Sequence, residues 1–155
     1  MNDNSFKRTE AMLYNYKKTI AEIKILKRDL EIIENNYKGP SAISFDEKSS
    51  PTNEFNSNVE NEVIKRAEKI ERLSKVIRLK EIEIENIDDA LEILNDEERY
   101  IVNERYFNNK RNKDIAAKLN VTEQTSCDYK NKIINKLIPF LINHSKSIQD
   151  WLKMI

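Results

Sequence analysis

Two long stretches of the chain repeat apolar residues at steps of three and four, the spacing that places them on one face of an α-helix. They cover about residues 5–37 and about residues 59–94. Lys27 and Glu34 interrupt the first stripe, and Ser74 and Glu81 interrupt the second. Neither helix can bury such a stripe alone, so we expect the two to pair as an antiparallel, coiled-coil-like hairpin, or two chains to pair through the same seam.

The segment between these helices changes in composition. Gly39-Pro40 follows the first helix, as expected for a C′ glycine followed by a proline. The residues that come next are rich in Ser, Asn and Pro, which is typical of a loop. The sequence therefore predicts a helical hairpin over residues 1–94 with a loop at 38–58.

The last third of the chain contains shorter helical patterns. Asn95 followed by Glu98 has the spacing of a capping box, which marks a helix start. A second short helix is predicted with Asn112 as its cap, and the small side chain of Ala116 predicts a close crossing with the helix that follows. A close crossing needs a small residue because a larger one would force the two helices apart.

The connection after this short helix has the residues of a tight turn. Asn120 stands where the backbone needs left-handed dihedrals, which Asn tolerates better than most residues. Thr122 is a good N-cap for the next helix, whose apolar stripe consists of Tyr129, Ile133, Ile134 and Leu137. The spacing is that of a helix-turn-helix, although an ordinary pair of antiparallel helices gives a similar pattern. We therefore predict an all-α protein with a DNA-binding domain over residues 95–155.

Pro139 is expected to end the last of these helices. Beyond it, apolar residues recur from Phe140 to Leu152 and predict one more amphipathic segment. This tail at 139–155 either completes the core of the domain or forms a surface for a partner.

Composition restricts the possible classes of protein. One Gly, three Pro and a charged fraction of 35% in 155 residues favour long helices over a thick globular core. No segment approaches the run of about 20 apolar residues that crosses a bilayer, so no membrane association is expected. Cys127 is the only cysteine and His144 the only histidine, which excludes an intrachain disulfide and a zinc site of Cys and His ligands. We predict a cytoplasmic protein without a cofactor, a metal or an enzymatic activity.

Charge is distributed unevenly along a chain whose formal net charge is zero. Residues 110–136 contain seven basic and three acidic residues, whereas residues 59–94 contain seven basic and ten acidic ones. A local excess of positive charge around the predicted helix-turn-helix is the distribution expected of a DNA-binding protein.

Residues 94–137 resemble region 4 of bacterial primary sigma factors, which reads an upstream promoter element. The matching runs are Glu98-Arg99-Tyr100-Ile101-Val102, Arg105-Tyr106-Phe107, Asp114-Ile115-Ala116 and Leu119-Asn120-Val121-Thr122. The chain departs from the family pattern where Glu123 and Cys127 replace arginine and where Ser126 replaces an aliphatic residue. Two acids in the helix that reads DNA repel phosphate and imply low intrinsic affinity.

The resemblance implies a role for each matching position. The residues that would face base edges in the major groove are Glu123, Gln124, Cys127 and Asp128. Thr122 and Thr125 would lie near the DNA backbone. The side chains that would contact phosphates are Arg111, Lys113, Lys130 and Lys132.

The whole layout resembles small phage-encoded transcriptional regulators of the RinA/ArpU kind. That resemblance implies an activator of late genes that binds double-stranded DNA. The low intrinsic affinity predicts either a dimer, formed through the long helices, or binding assisted by RNA polymerase. Two other classes stay open. One is a terminase small subunit, which would need a ring of chains; the other is a helical interaction module that docks on polymerase without reading bases.

Overall fold

The computed structural model describes residues 3–36 and 53–143, and all regular secondary structure in these ranges is helical. The helices are α1 (Asp3–Asn35), α2 (Asn53–Glu92), α3 (Asp96–Val102), α4 (Asn112–Leu119) and α5 (Glu123–Ile138). Two π-helical turns, Asn103–Phe107 and Pro139–Asn143, continue α3 and α5. The prediction of an all-α protein is confirmed. Within the described ranges, no helix has the length and apolar character needed to cross a membrane.

Helix α2 begins earlier than the sequence predicts. It starts at Asn53, within the segment expected to be a loop at 38–58, so the predicted end of that loop is wrong. Ser and Asn have weak helix propensity, but adding residues to an existing helix costs far less than starting one. Residues 37–52, which include the rest of the predicted loop, lie outside the described ranges.

The chain forms two compact units. The first contains Met1–Ile20 and Ile82–Ile155, and the second contains Ala21–Glu81. This division differs from the boundary expected at residue 94, because the start of α1 and the end of α2 pack with the short helices. Leu13 and Ile87 are buried in the same core cluster as Ile134. Helical periodicity identifies an apolar face, but it does not say which other element covers that face.

Tyr106 lies at the centre of the first unit. Its side chain is buried, its hydroxyl donates a 2.8 Å hydrogen bond to the Glu10 carboxylate, and its ring meets the edge of Tyr14 at a centroid distance of 4.8 Å. Burial raises the pKa of the Tyr106 phenol well above its usual range, and the bond to Glu10 raises it further. A buried aromatic ring of this size stabilises the fold by about 1.5–3 kcal/mol.

A second aromatic contact lies two residues further along α1. The rings of Tyr16 and Phe107 are stacked at 4.5 Å, and the Tyr16 hydroxyl donates a 2.6 Å hydrogen bond to Asp88. Burial and the neighbouring Asp88 raise the pKa of Tyr16 to about 12. The contacts of Tyr14 and Tyr16 therefore join α1 both to α2 and to the π-helical turn after α3.

In the second unit, α1 and α2 lie side by side and run in opposite directions. Lys80 pairs with Glu22 at 2.8 Å, and the Arg66 guanidinium donates a 2.7 Å hydrogen bond to the carbonyl of Ile33. Two of the charged residues that interrupt the apolar stripes pair with each other, since Lys27 Nζ lies 2.5 Å from Glu81 Oε1. The exposed position of Lys27 means that water screens this pair, so it adds little to stability.

Candidate nucleic-acid interface

Helix α3 starts with a complete capping box at Asn95 and Glu98. The Asn95 side chain accepts a 2.9 Å hydrogen bond from the Glu98 backbone, and the Glu98 carboxylate accepts a 3.0 Å bond from the Asn95 backbone. This prediction is confirmed. Lys136 in the last turn of α5 pairs with the same carboxylate at 2.8 Å. The Lys136 hydrogen bond and the Asn95 amide hold the pKa of Glu98 below its usual range, so this contribution to stability is lost only as the pH falls into the acid range.

The N-cap of helix α4 lies one residue earlier than predicted. Arg111 is the N-cap residue, with extended backbone dihedrals, and its carbonyl accepts hydrogen bonds from Asp114 and Ile115 at 3.0 and 3.2 Å. The prediction that Asn112 caps this helix is therefore wrong, because Asn112 already lies inside the first turn. The Arg111 guanidinium instead lies 3.3 Å from the Asp114 carboxylate, and this contact lowers the pKa of Asp114.

The turn after α4 has the conformation that the sequence predicts. Asn120 is left-handed, with φ 54° and ψ 41°, and the Val121 amide donates a 3.0 Å hydrogen bond to the carbonyl of Ala116. Ala116 is 3% exposed. The turn and the small buried side chain before it allow α4 and α5 to pack closely.

Helix α5 is capped and buried as predicted. The Thr122 hydroxyl accepts a 3.1 Å hydrogen bond from the backbone of Thr125. The predicted apolar stripe faces the core, since Ile133, Ile134 and Leu137 are buried and Tyr129 is half-buried. Core burial of one side leaves the opposite side of α5 available for a partner.

Three of the four residues predicted to face base edges are exposed. They are Glu123, Gln124 and Asp128, while Cys127 is half-buried. The Gln124 amide donates a 3.1 Å hydrogen bond to the Asp128 carboxylate, and the Asn131 amide lies 4.0 Å from the Cys127 sulfur. The first three turns of α5 therefore carry a continuous polar surface.

The four basic residues predicted to contact phosphates have different surroundings. Arg111, Lys113 and Lys132 are exposed. Lys132 lies at the rim of a groove of about 240 Å³ between α5 and the start of α3. Lys130 is only 15% exposed in its side chain, and its ammonium pairs with Glu10 of α1 at 3.0 Å. This ion pair therefore joins α5 to α1.

Sequence reasoning missed two residues of this surface. Asn131 is half-buried, Asn135 is exposed, and both follow Gln124 and Asp128 at helical spacing. The steps of four, three and four residues that join these positions are visible in the sequence and were the available signal. We define the outer face of α5 as Gln124, Asp128, Asn131 and Asn135.

In the part of the chain that the structure describes, no group of three or more His, Cys, Asp or Glu side chains is placed to hold a metal ion. The arrangement instead offers amides, hydroxyls and lysines on a helix surface, which are groups that bind by hydrogen bonds and charge.

Comparison with known proteins identifies a family without identifying an activity. No curated protein and no solved structure matches the chain. The pattern of one family, described as a protein of unknown function, matches residues 5–139 of the 155. This match covers all five helices, and the chain therefore belongs to that family, DUF722.

Proposed function

We propose that the protein is a sequence-specific DNA-binding transcription regulator in which α4 and α5 act as a helix-turn-helix. The observation that carries the proposal is the sequence of features from Ala116 to Asp128. A buried alanine, a left-handed asparagine, a threonine cap and an exposed polar helix face follow one another at the required spacing. In such motifs the second helix enters the major groove, and its first turns contact base edges.

Electrostatics around the two helices support this proposal. Lys113 and Lys132 are exposed, and Lys132 has no ion-pair partner among the described residues. Basic side chains placed in this way neutralise phosphates and release counterions, which supplies much of the affinity of a DNA-binding protein. The acidic residues Glu123 and Asp128 oppose this attraction and lower the intrinsic affinity.

The resemblance to sigma factors and the chemistry of each side chain give the roles that we propose for these residues. Gln124 would bond to adenine, and Asp128 would accept a hydrogen bond from a cytosine amino group. Thr122 and Thr125 would lie near the DNA backbone. The side chains proposed to contact phosphates are Arg111, Lys113 and Lys132. We leave Lys130 out of this set because its ammonium is held by Glu10.

Removing two phosphate contacts tests this arrangement. We expect a Lys113→Ala, Lys132→Ala double variant to bind all DNA sequences more weakly, because phosphate contacts carry no sequence information. The slope of log affinity against log salt should fall by about 2, or about 1 for each lysine. Fluorescence anisotropy titrations at several salt concentrations measure both quantities.

A matched control is a Lys24→Ala, Lys69→Ala variant. It removes the same charge from two exposed lysines of α1 and α2, outside the proposed interface. We expect its salt slope to match that of the wild type. Equal slopes for the two double variants would contradict the assignment of Lys113 and Lys132.

A protein with low intrinsic affinity for DNA gains further DNA contacts by dimerising. The second unit has an exposed apolar face on α1 that suits a dimer. Ile25 and Ile32 of α1 are 49% and 55% exposed and lie seven residues apart on one side of the helix. Arg28 and Asp29 lie between them and give a surface that is complementary to itself in charge. We propose that a second copy of the chain covers this face, because Lys27, Glu81 and their neighbours already join α1 to α2 within the chain.

Sedimentation of the full chain tests the dimer. We expect the mass of two chains at micromolar concentration, and the mass of one chain for an Ile25→Lys, Ile32→Lys variant, since buried lysines oppose association. Lys24→Ala is the control, because it leaves this face intact and should remain dimeric. A wild-type protein that sediments as a single chain would contradict the proposed dimer, whereas a larger ring would favour the terminase-like alternative.

The resemblance to RinA/ArpU-type regulators supports a role in activating phage late genes together with RNA polymerase. A second function has a specific observation in its favour. Asp128 already holds the Gln124 amide, and the acids on α5 suit a basic protein partner as well as a cytosine. A chain that binds polymerase but shows no preference among DNA sequences would favour this interaction module over the regulator.

A further inference from the structure

The outer face of α5 consists of three carboxamides and one carboxylate. Gln124, Asp128 and Asn135 are exposed, and Asn131 is half-buried. An α-helix turns once every 3.6 residues, so these four side chains project from the same side of the helix. Ile133 and Leu137 on the opposite side are buried, which fixes the rotation of α5 in the fold.

The spacing along this face fits the spacing of base pairs. At about 1.5 Å per residue, Gln124 and Asn131 are separated by about 10 Å along the helix. Base pairs are stacked about 3.4 Å apart. A helix lying along the major groove would therefore place these two amides about three base pairs apart, with Asn135 further along the groove.

The chemistry of the face selects among bases. A carboxamide offers a donor and an acceptor side by side, which matches the N7 acceptor and N6 donor of adenine. Guanine presents two acceptors and is read by arginine or lysine, neither of which lies on the outer face of α5. The Asp128 carboxylate accepts only, so it disfavours guanine at its own position.

In the free protein, the contacts of Gln124 and Asn131 leave hydrogen-bonding groups of both amides available for DNA. Gln124 gives one of its two amide hydrogens to Asp128, which leaves the second hydrogen and the carbonyl oxygen for a base. The contact of Asn131 is with the Cys127 sulfur at 4.0 Å, and sulfur is a weak acceptor. Turning the Asn131 amide toward DNA therefore breaks only this weak contact.

We propose that the carboxamides on the outer face of α5 recognise A·T base pairs and that Asn131 is a specificity-determining residue alongside Gln124. This inference rests on the proposed function, and it adds the class of DNA target and two residues that the resemblance to sigma factors does not assign. Asn135 extends the same preference toward the end of the helix.

Selection from a pool of random DNA duplexes tests the inference, with wild-type protein and an Asn131→Ala variant at the same salt concentration. We expect the wild type to enrich sequences with A·T pairs at two positions about three base pairs apart. The variant should lose the preference at one of them by roughly 5- to 150-fold, the range that corresponds to about 1–3 kcal/mol for one bidentate contact.

Two further variants test whether the effect comes from the amide of Asn131. Asn131→Asp keeps the size of the side chain but removes its donors, so it should also lose the adenine preference. Asn15→Ala removes an exposed amide from α1 and should leave the selected sequences unchanged.

The outcomes separate this inference from the proposed function. Specific binding with a G·C-rich target, or with a preference that survives both Asn131 variants, would overturn the inference and leave the regulator intact. A wild-type protein that enriches no sequence would overturn both.

Discussion

Replacing Leu13 by alanine should destabilise the protein by about 2–5 kcal/mol, the usual cost of removing a fully buried leucine side chain. Leu13 is 0% exposed and belongs to the core cluster that also contains Tyr106 and Leu137. The loss reflects both the apolar surface returned to water and the cavity left among rigid neighbours. Urea unfolding followed by circular dichroism measures it.

Leu79→Ala is the matched control, because Leu79 of α2 is 59% exposed. We expect its free energy of unfolding to stay within about 0.5 kcal/mol of the wild type, as is usual for surface substitutions. If both leucine variants unfold at the same urea concentration, the start of α1 does not pack on the C-terminal helices.

Replacing Ala116 by leucine should cost about 1–3 kcal/mol, because extra atoms in a closely packed core force side chains and backbone to shift. Ala116 is 3% exposed, and its carbonyl accepts the hydrogen bond from Val121 that closes the turn. Movement of α4 away from α5 would disturb both features, so we expect weaker DNA binding as well as a lower free energy of unfolding. Urea unfolding and anisotropy titrations measure the two effects.

The neighbouring residue provides the control for this change. Ala117 is exposed, and Ala117→Leu adds the same side chain on the outside of α4. It should leave stability nearly unchanged, since leucine and alanine both favour helices. An Ala116→Leu protein as stable as Ala117→Leu would show that the close helix crossing lies elsewhere.

The sequence predicts best those features that depend on a few neighbouring residues. The capping box of Asn95, the left-handed Asn120 and the Thr122 cap all have the predicted conformation, because each depends on local hydrogen bonds and local sterics. Asn112 is the exception, because the observed cap of α4 is the residue before it. The helix starts one residue earlier than a cap at Asn112 requires, and no property of the asparagine itself decides between these starts.

Packing between distant parts of the chain was not predictable from periodicity. The sequence groups α1 with α2 as a hairpin, whereas the first residues of α1 pack with the short C-terminal helices through Leu13 and Glu10. Glu10 and Lys130 are 120 residues apart in the chain, and nothing local marks them as a pair. Only the folded arrangement shows that Lys130 holds α5 in place.

Ser126, which departs from the resembled sequence pattern, is buried in the structure. The resembled family has an aliphatic residue at this position, and Ser126 is 1% exposed. Its hydroxyl has no hydrogen-bond partner among the described residues. The position is therefore a core position that carries a polar side chain.

A titration of the wild-type full chain, against random duplexes and against the most enriched duplex, tests the proposal that α5 reads DNA. We expect the enriched duplex to bind at least about tenfold more tightly, the effect of about 1.4 kcal/mol, with affinity that falls steeply as salt rises. Equal affinity for both DNAs, at low salt and at physiological salt, would contradict the claim and favour a protein partner for this face of α5.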